Sequence, residues 1–331
     1  MLSILNDFLR TVLVSSLFTV LLLVFRMTIF KIFSRRFNYY IWFIVIIKLL
    51  LPFTYYTFAF NEFKYQENIN KVNLEGFNNL STLCTMILVS VWATITIFYL
   101  ISTLWKYIEL KNLIDDLSYE VDDKYINNLY SNLLKELNIN KNIQIKYSYE
   151  VETPSFFNSC ILLPPYDYTL KELEWIFRHE LMHFKSKDLC IKYLVLFLKI
   201  VYWFNPFMYI MDKIIDLDCE LYCDERVLKN RSIEDKKEYA LTVINAMKKD
   251  LNSSNKFVAR LHKKSDIKKR VSNMFNEKNR TGILMAIILC LFSLITYFKF
   301  DSIASNPVKH SLEAPMPVNT GKEKSFTITV D

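Results

Sequence analysis

The string His179-Glu180-Leu181-Met182-His183 sets two imidazoles four positions apart with a carboxylate directly after the first. On an α-helix such positions share a face, so both rings can aim at one ion. Glu180 then reaches the open coordination position, where it can take a proton from a metal-bound water. Short motifs arise by accident, but the chain has only four histidines and two of them build this one. A catalytic zinc takes three protein ligands and keeps a position for water, so a third ligand must come from elsewhere. Downstream stands Asp218-Cys219-Glu220-Leu221-Tyr222-Cys223-Asp224-Glu225. Glu220 and Asp224 again share a helix face. We assign Glu220 as the third ligand and Asp224 as the acceptor for the N–H of a ligand imidazole. Two alternatives stay open. The acids form a solvated helix face, or Cys219 and Cys223, at the same spacing, bind the metal themselves. Two histidines and two cysteines would close the site and make it structural, leaving Glu180 without a task. Arg226 and Tyr239 are weak candidates to stabilise an oxyanion.

The elements that must position these residues are legible in part. Thr169 with Glu172 forms a capping box, which starts a helix whose apolar positions Leu173, Ile176, Phe177, Leu181 and Phe184 keep helical spacing. That helix carries the histidine pair. Residues 106–140 read as helical. Asn142 to Tyr149 alternates apolar and polar residues, the period of a strand, and a second short strand is expected at Cys160 to Leu163, closed by Pro164-Pro165. Leu189 to Met211 is apolar enough to pass for a membrane span. It carries Lys192 and Lys199 on one helical face and contains Asn205-Pro206, so a buried or membrane-grazing helix that breaks near the proline is expected. If this run crossed a bilayer, His183 and Glu220 would be parted by about 30 Å of hydrocarbon and could not share an ion. The run must turn back.

Hydrophobic residues make up 52% of the 331-residue chain and charged residues 23%, which fits neither an ordinary soluble enzyme nor a bundle of spans alone. Four apolar runs, about 4–29, 39–60, 80–105 and 281–298, are long enough to cross a bilayer. The first lacks a small-residue cleavage site and reads as an anchor. Arg26, Lys31, Arg35 and Arg36 lie between the first two runs without an acid, whereas Glu62, Glu67 and Glu75 balance Lys64 and Lys71 in the next loop. The positive-inside rule puts the first loop in the cytoplasm and the second outside. Residues 106–280 are then cytoplasmic, in agreement with the basic stretch Arg260 to Arg280, and both ends lie outside. The charge of +7 is thus a topology signal, and no direct nucleic-acid binding is expected. Lys48, midway along the second run, flags function, transport included, although an interior-facing cation is the commoner reading. The six cysteines show no disulfide framework.

With these pieces placed, the chain resembles the BlaR/MecR-type membrane metallopeptidases, the bacterial antirepressor transducers of β-lactam resistance. The matching strings are Leu51-Pro52 after Lys48, Cys160-Ile161-Leu162-Leu163-Pro164, the histidine motif with Asp188 five residues on, Trp203-Phe204-Asn205-Pro206, and Glu220 with Cys223-Asp224. The resemblance implies a gluzincin-type zinc site with ligands His179, His183 and Glu220 and base Glu180, with Asp188 beside Asp224 as carboxylates that orient the ligand imidazoles. It implies a mainly α membrane protein with three spans in residues 1–105, a cytoplasmic α+β zinc peptidase domain at 106–280, a fourth span at 281–298 and a short outer tail at 299–331. A cytoplasmic protein substrate such as a winged-helix transcriptional repressor, self-cleavage before the last span, the lipid bilayer and a homodimer partner are the implied associations. The sequence departs from the family in two places. Ser155-Phe156-Phe157-Asn158-Ser159 stands where the family carries a turn with Gly and Pro. About thirty residues follow the fourth run without a Ser-x-x-Lys motif, so β-lactam sensing through a penicillin-binding domain is not expected. The competing reading from another class is a non-catalytic signalling scaffold that kept its zinc site.

Overall fold

A computed structural model describes residues 2–50, 75–253, 257–276 and 280–293. Helices dominate. Helix α1 spans Leu2–Met27, and a 3₁₀ turn at Ile29–Ile32 leads to α2 (Arg35–Tyr40) and α3 (Phe43–Leu50). Helix α4 runs over 43 residues from Glu75 to Leu117, continuing through positions 105 and 106. Two of these, over Phe8–Met27 and Thr82–Leu117, are long and apolar enough to cross a membrane. On α4 the side chains of Leu88, Ile97, Phe98, Ile101 and Trp105 are at least half exposed, an apolar surface that suits lipid rather than water. The second apolar run is not straight where it is described: it breaks between Tyr40 and Phe43, and its remainder lies outside the described residues. The described part of the fourth run is a helix, α11, over Ile283–Ser293. Lys48 turns toward α1, its ammonium over the Phe18 ring at 5.1 Å.

The expected helix over 106–140 is interrupted. After α4 comes a short strand β1 (Ser118–Glu120), then α5 (Lys124–Glu136), started by Asp123, whose carboxylate accepts from the Tyr125 and Ile126 amides. Strands β2 (Gln144–Ser148), β3 (Ser155–Phe157) and β4 (Cys160–Leu163) complete a sheet of order β1-β2-β4-β3. β2 pairs parallel with β4, Ile145 opposite Ile161, and the outer pairs are antiparallel. The 155–159 stretch is therefore a strand plus a two-residue turn. Asn158 and Ser159 take φ of 44° and 65° there, the left-handed backbone of a tight hairpin, which explains why a glycine is favoured at this place.

Helix α6 (Leu170–Ser186) starts at the capping box: Thr169 accepts from the Glu172 amide while Glu172 accepts from the Thr169 amide. One face, with Leu173, Ile176, Phe177 and Leu181, closes the core over β2, β4 and α5. Trp175, on another face, packs with Cys223, Val227, Tyr239 and Met274 from α8 (Pro206–Val227), α9 (Ile233–Ser253) and α10 (Phe257–Met274). A third core joins α1 to α3 with α7 (Asp188–Val201) and α8. The apolar run after the histidines thus turns back as the ligand geometry requires. At 1.5 Å per residue α7 is about 21 Å long, short of a bilayer core. Asn205 caps α8 by accepting from the Phe207 amide, and Pro206 takes the first helical position, where no donor is needed. Lys199 reaches Asp212 at 2.5 Å and Lys192 approaches Asp216 at 3.7 Å, so the two lysines of the run face the acids of the returning helix.

Candidate metal centre

Helix α6 presents His179 and His183 on one face, and the returning α8 sets Glu220 opposite them. The two Nε2 atoms are 3.1 Å apart. Glu220 Oε2 lies 3.3 Å from His179 Nε2, and Oε1 lies 3.5 Å from His183 Nε2. Ligands at about 2.1 Å from a tetrahedral zinc are about 3.4 Å from one another, so these three groups fit the edges of one face of a zinc site. Glu180, 8% exposed, lines the same cavity of about 820 Å³ together with both imidazoles and Glu220.

The Nδ1 atoms face away from this triangle, toward supporting groups. Asp188 Oδ2 is 2.8 Å from His183 Nδ1, an N–H donor when Nε2 binds a metal. Asp224 holds His179 less directly than expected. Its Oδ1 is 3.6 Å from His179 Nδ1, and the Tyr239 hydroxyl lies between, 2.8 Å from Nδ1 and donating to Asp224 at 2.5 Å. The thiols are also on the Nδ1 side, Cys223 Sγ 3.4 Å from His179 Nδ1 and Cys219 Sγ 3.8 Å from His183 Nδ1. Cys223 with both histidines, or Cys219 with His183 and Asp188, would be close enough to bind an ion. Glu220, by contrast, places one carboxylate oxygen within 3.5 Å of each Nε2 atom. Arg226 points elsewhere, donating to Ser186 and lying over Tyr222. Tyr239, engaged behind His179, is a support for that ring rather than a free donor.

Arg270 of α10 escaped the sequence reading, which absorbed it into the basic stretch before the fourth run. Its guanidinium is 3.0 Å from Glu220 Oε2 and donates to Asp224 at 2.8 and 2.7 Å. Tyr39 escaped as well: its hydroxyl donates to Asp188 at 2.9 Å. Neither has a local signal, because the partners are 46 and 149 positions away in the chain.

The electrostatics follow from this packing. Burial works to raise the Glu220 carboxyl, but Arg270 and the imidazoles outweigh it and hold it well below the usual carboxylate range. Burial raises Glu180, only partly offset by His179 and His183. Burial alone would lower His179, yet Cys223 and Glu220 beside it push it up to about 10. Acids that draw protons onto both rings equally favour a dication in their place.

The chain combines a helix-borne histidine pair faced by an acidic helix with two helices long and apolar enough to cross a bilayer. The chain belongs to the BlaR1 peptidase M56 family, which matches residues 6–274. It is 27% identical over 366 aligned positions to the methicillin resistance mecR1 protein of Staphylococcus aureus, covering 98% of this chain and 63% of that one. It is 25% identical over 213 positions to the regulatory protein BlaR1 of Bacillus licheniformis, covering 62% of this chain and 35% of that protein. BlaR1 of Staphylococcus aureus is 24% identical over 316 positions, at 83% and 52% coverage. The chain therefore spans less than two thirds of the length of these regulators.

Proposed function

We propose that this chain is a membrane-embedded zinc endopeptidase acting in signal transduction, which hydrolyses a peptide bond in a cytoplasmic regulator of the winged-helix repressor class, in itself, or in both. The observation that carries the reading is the convergence of His179 Nε2, His183 Nε2 and the Glu220 carboxylate at 3.1 to 3.5 Å, with Glu180 beside them in an open cavity. These donors fit zinc: two nitrogens and one carboxylate, leaving a position for water. When bound there, zinc supplies a Lewis acid that brings a water within reach of deprotonation near neutral pH. Glu180 then accepts the water proton and returns it to the leaving amine. Its raised carboxyl suits that exchange better than an ordinary glutamate. Asp188 and the Tyr239–Asp224 pair hold each imidazole with its N–H pointing away from the metal side. Edge strand β3 borders the cavity through Ser155 and Phe156, where an extended substrate can add as a further strand.

The scaffold reading is disfavoured by Glu180, which among the described residues makes no hydrogen bond or ion pair to explain its burial beside the two histidines. The experiment compares cells carrying the wild-type chain with cells carrying Glu180→Gln and maps new protein N-termini. Cleavage of a cytoplasmic regulator, or of the chain between α10 and the last run, is expected only with Glu180 intact. An identical set of N-termini in both, from protein that binds one zinc per chain, would leave the scaffold.

A further inference from the structure

A part of the chain remote from the cavity reaches the ligands from behind. Tyr39, at the end of α2, is 1% exposed, and its hydroxyl donates to Asp188 Oδ1 at 2.9 Å. The other oxygen of the same carboxylate is the one 2.8 Å from His183 Nδ1. The Tyr39 ring stacks on Tyr222 of α8, two positions beyond Glu220, with centroids 5.8 Å apart. Trp42 Nε1 donates to Asp218 at 3.1 Å, and Arg26, in the last turn of α1, pairs with the same oxygen. The stretch from Arg26 to Trp42, which links the first apolar run to the second, therefore touches the flanks of both His183 and Glu220. The entrance to α11 clamps that segment from its other side. The Ser34 amide donates to the Arg280 carbonyl at 2.9 Å, and the Phe37 ring fills the space a side chain at Gly282 would need.

We propose that Tyr39 is a positioning residue of the metal centre. Acting through Asp188, it sets the orientation and donor strength of His183, and it makes the ligand set answer to the segment that joins α1, α2 and α11. The physical basis is the buried carboxylate. Asp188 is 2% exposed, and its two oxygens face a tyrosine on one side and the imidazole on the other. Removing the hydroxyl leaves a buried acceptor unmatched and frees the carboxylate to rotate. It also changes how strongly the remaining oxygen pulls on the imidazole proton, because hydrogen bonds in a chain polarise one another. A displacement of α2 does the same without any mutation. The inference rests on the zinc-site reading above, and the test separates the two.

Full-length protein in detergent, carrying Glu180→Gln so that it cannot cleave itself, is titrated with zinc against a chromophoric chelator. The visible spectrum of the cobalt form is recorded in parallel. Asp188→Asn is expected to weaken zinc by the roughly 10- to 100-fold typical of losing a ligand's hydrogen-bond partner. Tyr39→Phe, which keeps the ring and its stacking, is expected to weaken zinc by roughly 3- to 10-fold and to shift the cobalt bands, being one bond further out. In the Asp188→Asn background Tyr39→Phe should add nothing, because its route to the metal has been cut. Tyr40→Phe removes a neighbouring hydroxyl and should match the parent. Wild-type affinity and spectrum in Tyr39→Phe would overturn the proposal, as would an equal loss with and without Asp188. If Asp188→Asn and His183→Ala are silent too, the zinc-site reading falls first. If they respond and Tyr39→Phe does not, only the positioning role falls.

Discussion

Arg270 lets Glu220 and Asp224 share a buried corner with two imidazoles. Two carboxylates there would repel each other, and each would be driven toward its neutral form. The guanidinium, 7% exposed, bridges them and keeps Glu220 anionic, as the ligand role proposed for it requires. Arg270→Met removes that compensation while keeping much of the volume, and breaking a buried ion pair from one side costs about 3–5 kcal/mol. Part of the lost positive charge is restored when a dication binds, so the loss in thermal stability should be larger without zinc than with it. Equal shifts with and without the metal would count against Glu220 as its ligand. Glu220→Gln should weaken zinc directly, whereas Cys219→Ser and Cys223→Ser should not, since both thiols face the Nδ1 side of the rings. Metal analysis decides between them, and the reverse pattern would make the thiolates the ligands. Glu180→Gln should keep zinc and lose turnover by about 10²–10⁴-fold, the usual weight of a general base. The base works only when deprotonated, and burial raises its carboxyl. Activity should therefore fall as pH drops, beginning above the ordinary glutamate value of about 4.3. A kcat/KM flat down to that value would contradict the assignment.

At the scale of elements, local signals decided what could be read from the sequence. The cap at Thr169, the apolar spacing behind it and the Asn205-Pro206 break are chemistry within a few residues, and α6 and the α7–α8 hairpin follow them. β4 appears at its expected bounds because Pro164 closes it. β1 and β3 were not legible: each has three residues, too few for a period, and each exists through pairing with β2 or β4. The same holds for the site. The histidines and Glu220 belong to motifs, whereas Tyr39 and Arg270 are brought in by tertiary packing alone. The β3–β4 turn carries a testable cost. Ser159 holds a left-handed backbone at φ 65°, a conformation that strains a residue with a Cβ by about 1–2 kcal/mol. Among the described residues its hydroxyl accepts an exposed hydrogen bond from Lys141, worth little in water. Ser159→Gly should then raise stability by about 0.5–1 kcal/mol, less than the strain because glycine also frees the unfolded chain. A lowered melting temperature would mean that the turn is held otherwise.

At the scale of the whole molecule, charge and metal geometry constrain the arrangement independently. From the charge bias, Arg35-Arg36 and the stretch from Lys263 to Arg270 are expected on the cytoplasmic side. The packing ties the same regions together, through Tyr39 to Asp188 and through Arg270 to Glu220. Lys187 and Lys213 flank the apolar run that turns back at Asn205, so both are expected on that same side. Single cysteines in place of Lys64, Lys187, Lys213 and Lys309, in a background free of native cysteines, can be probed on intact cells with a membrane-impermeant thiol reagent. Lys64 and Lys309 lie outside the described residues, and their expected labelling comes from the charge bias alone. Only Lys64→Cys and Lys309→Cys should label. Silence at Lys187→Cys and Lys213→Cys becomes informative once both label after the membrane is opened. If one of these two labels from outside and the other does not, the run crosses the bilayer. His183 and Glu220 would then be separated by hydrocarbon about 30 Å thick, and no single chain could hold an ion between them.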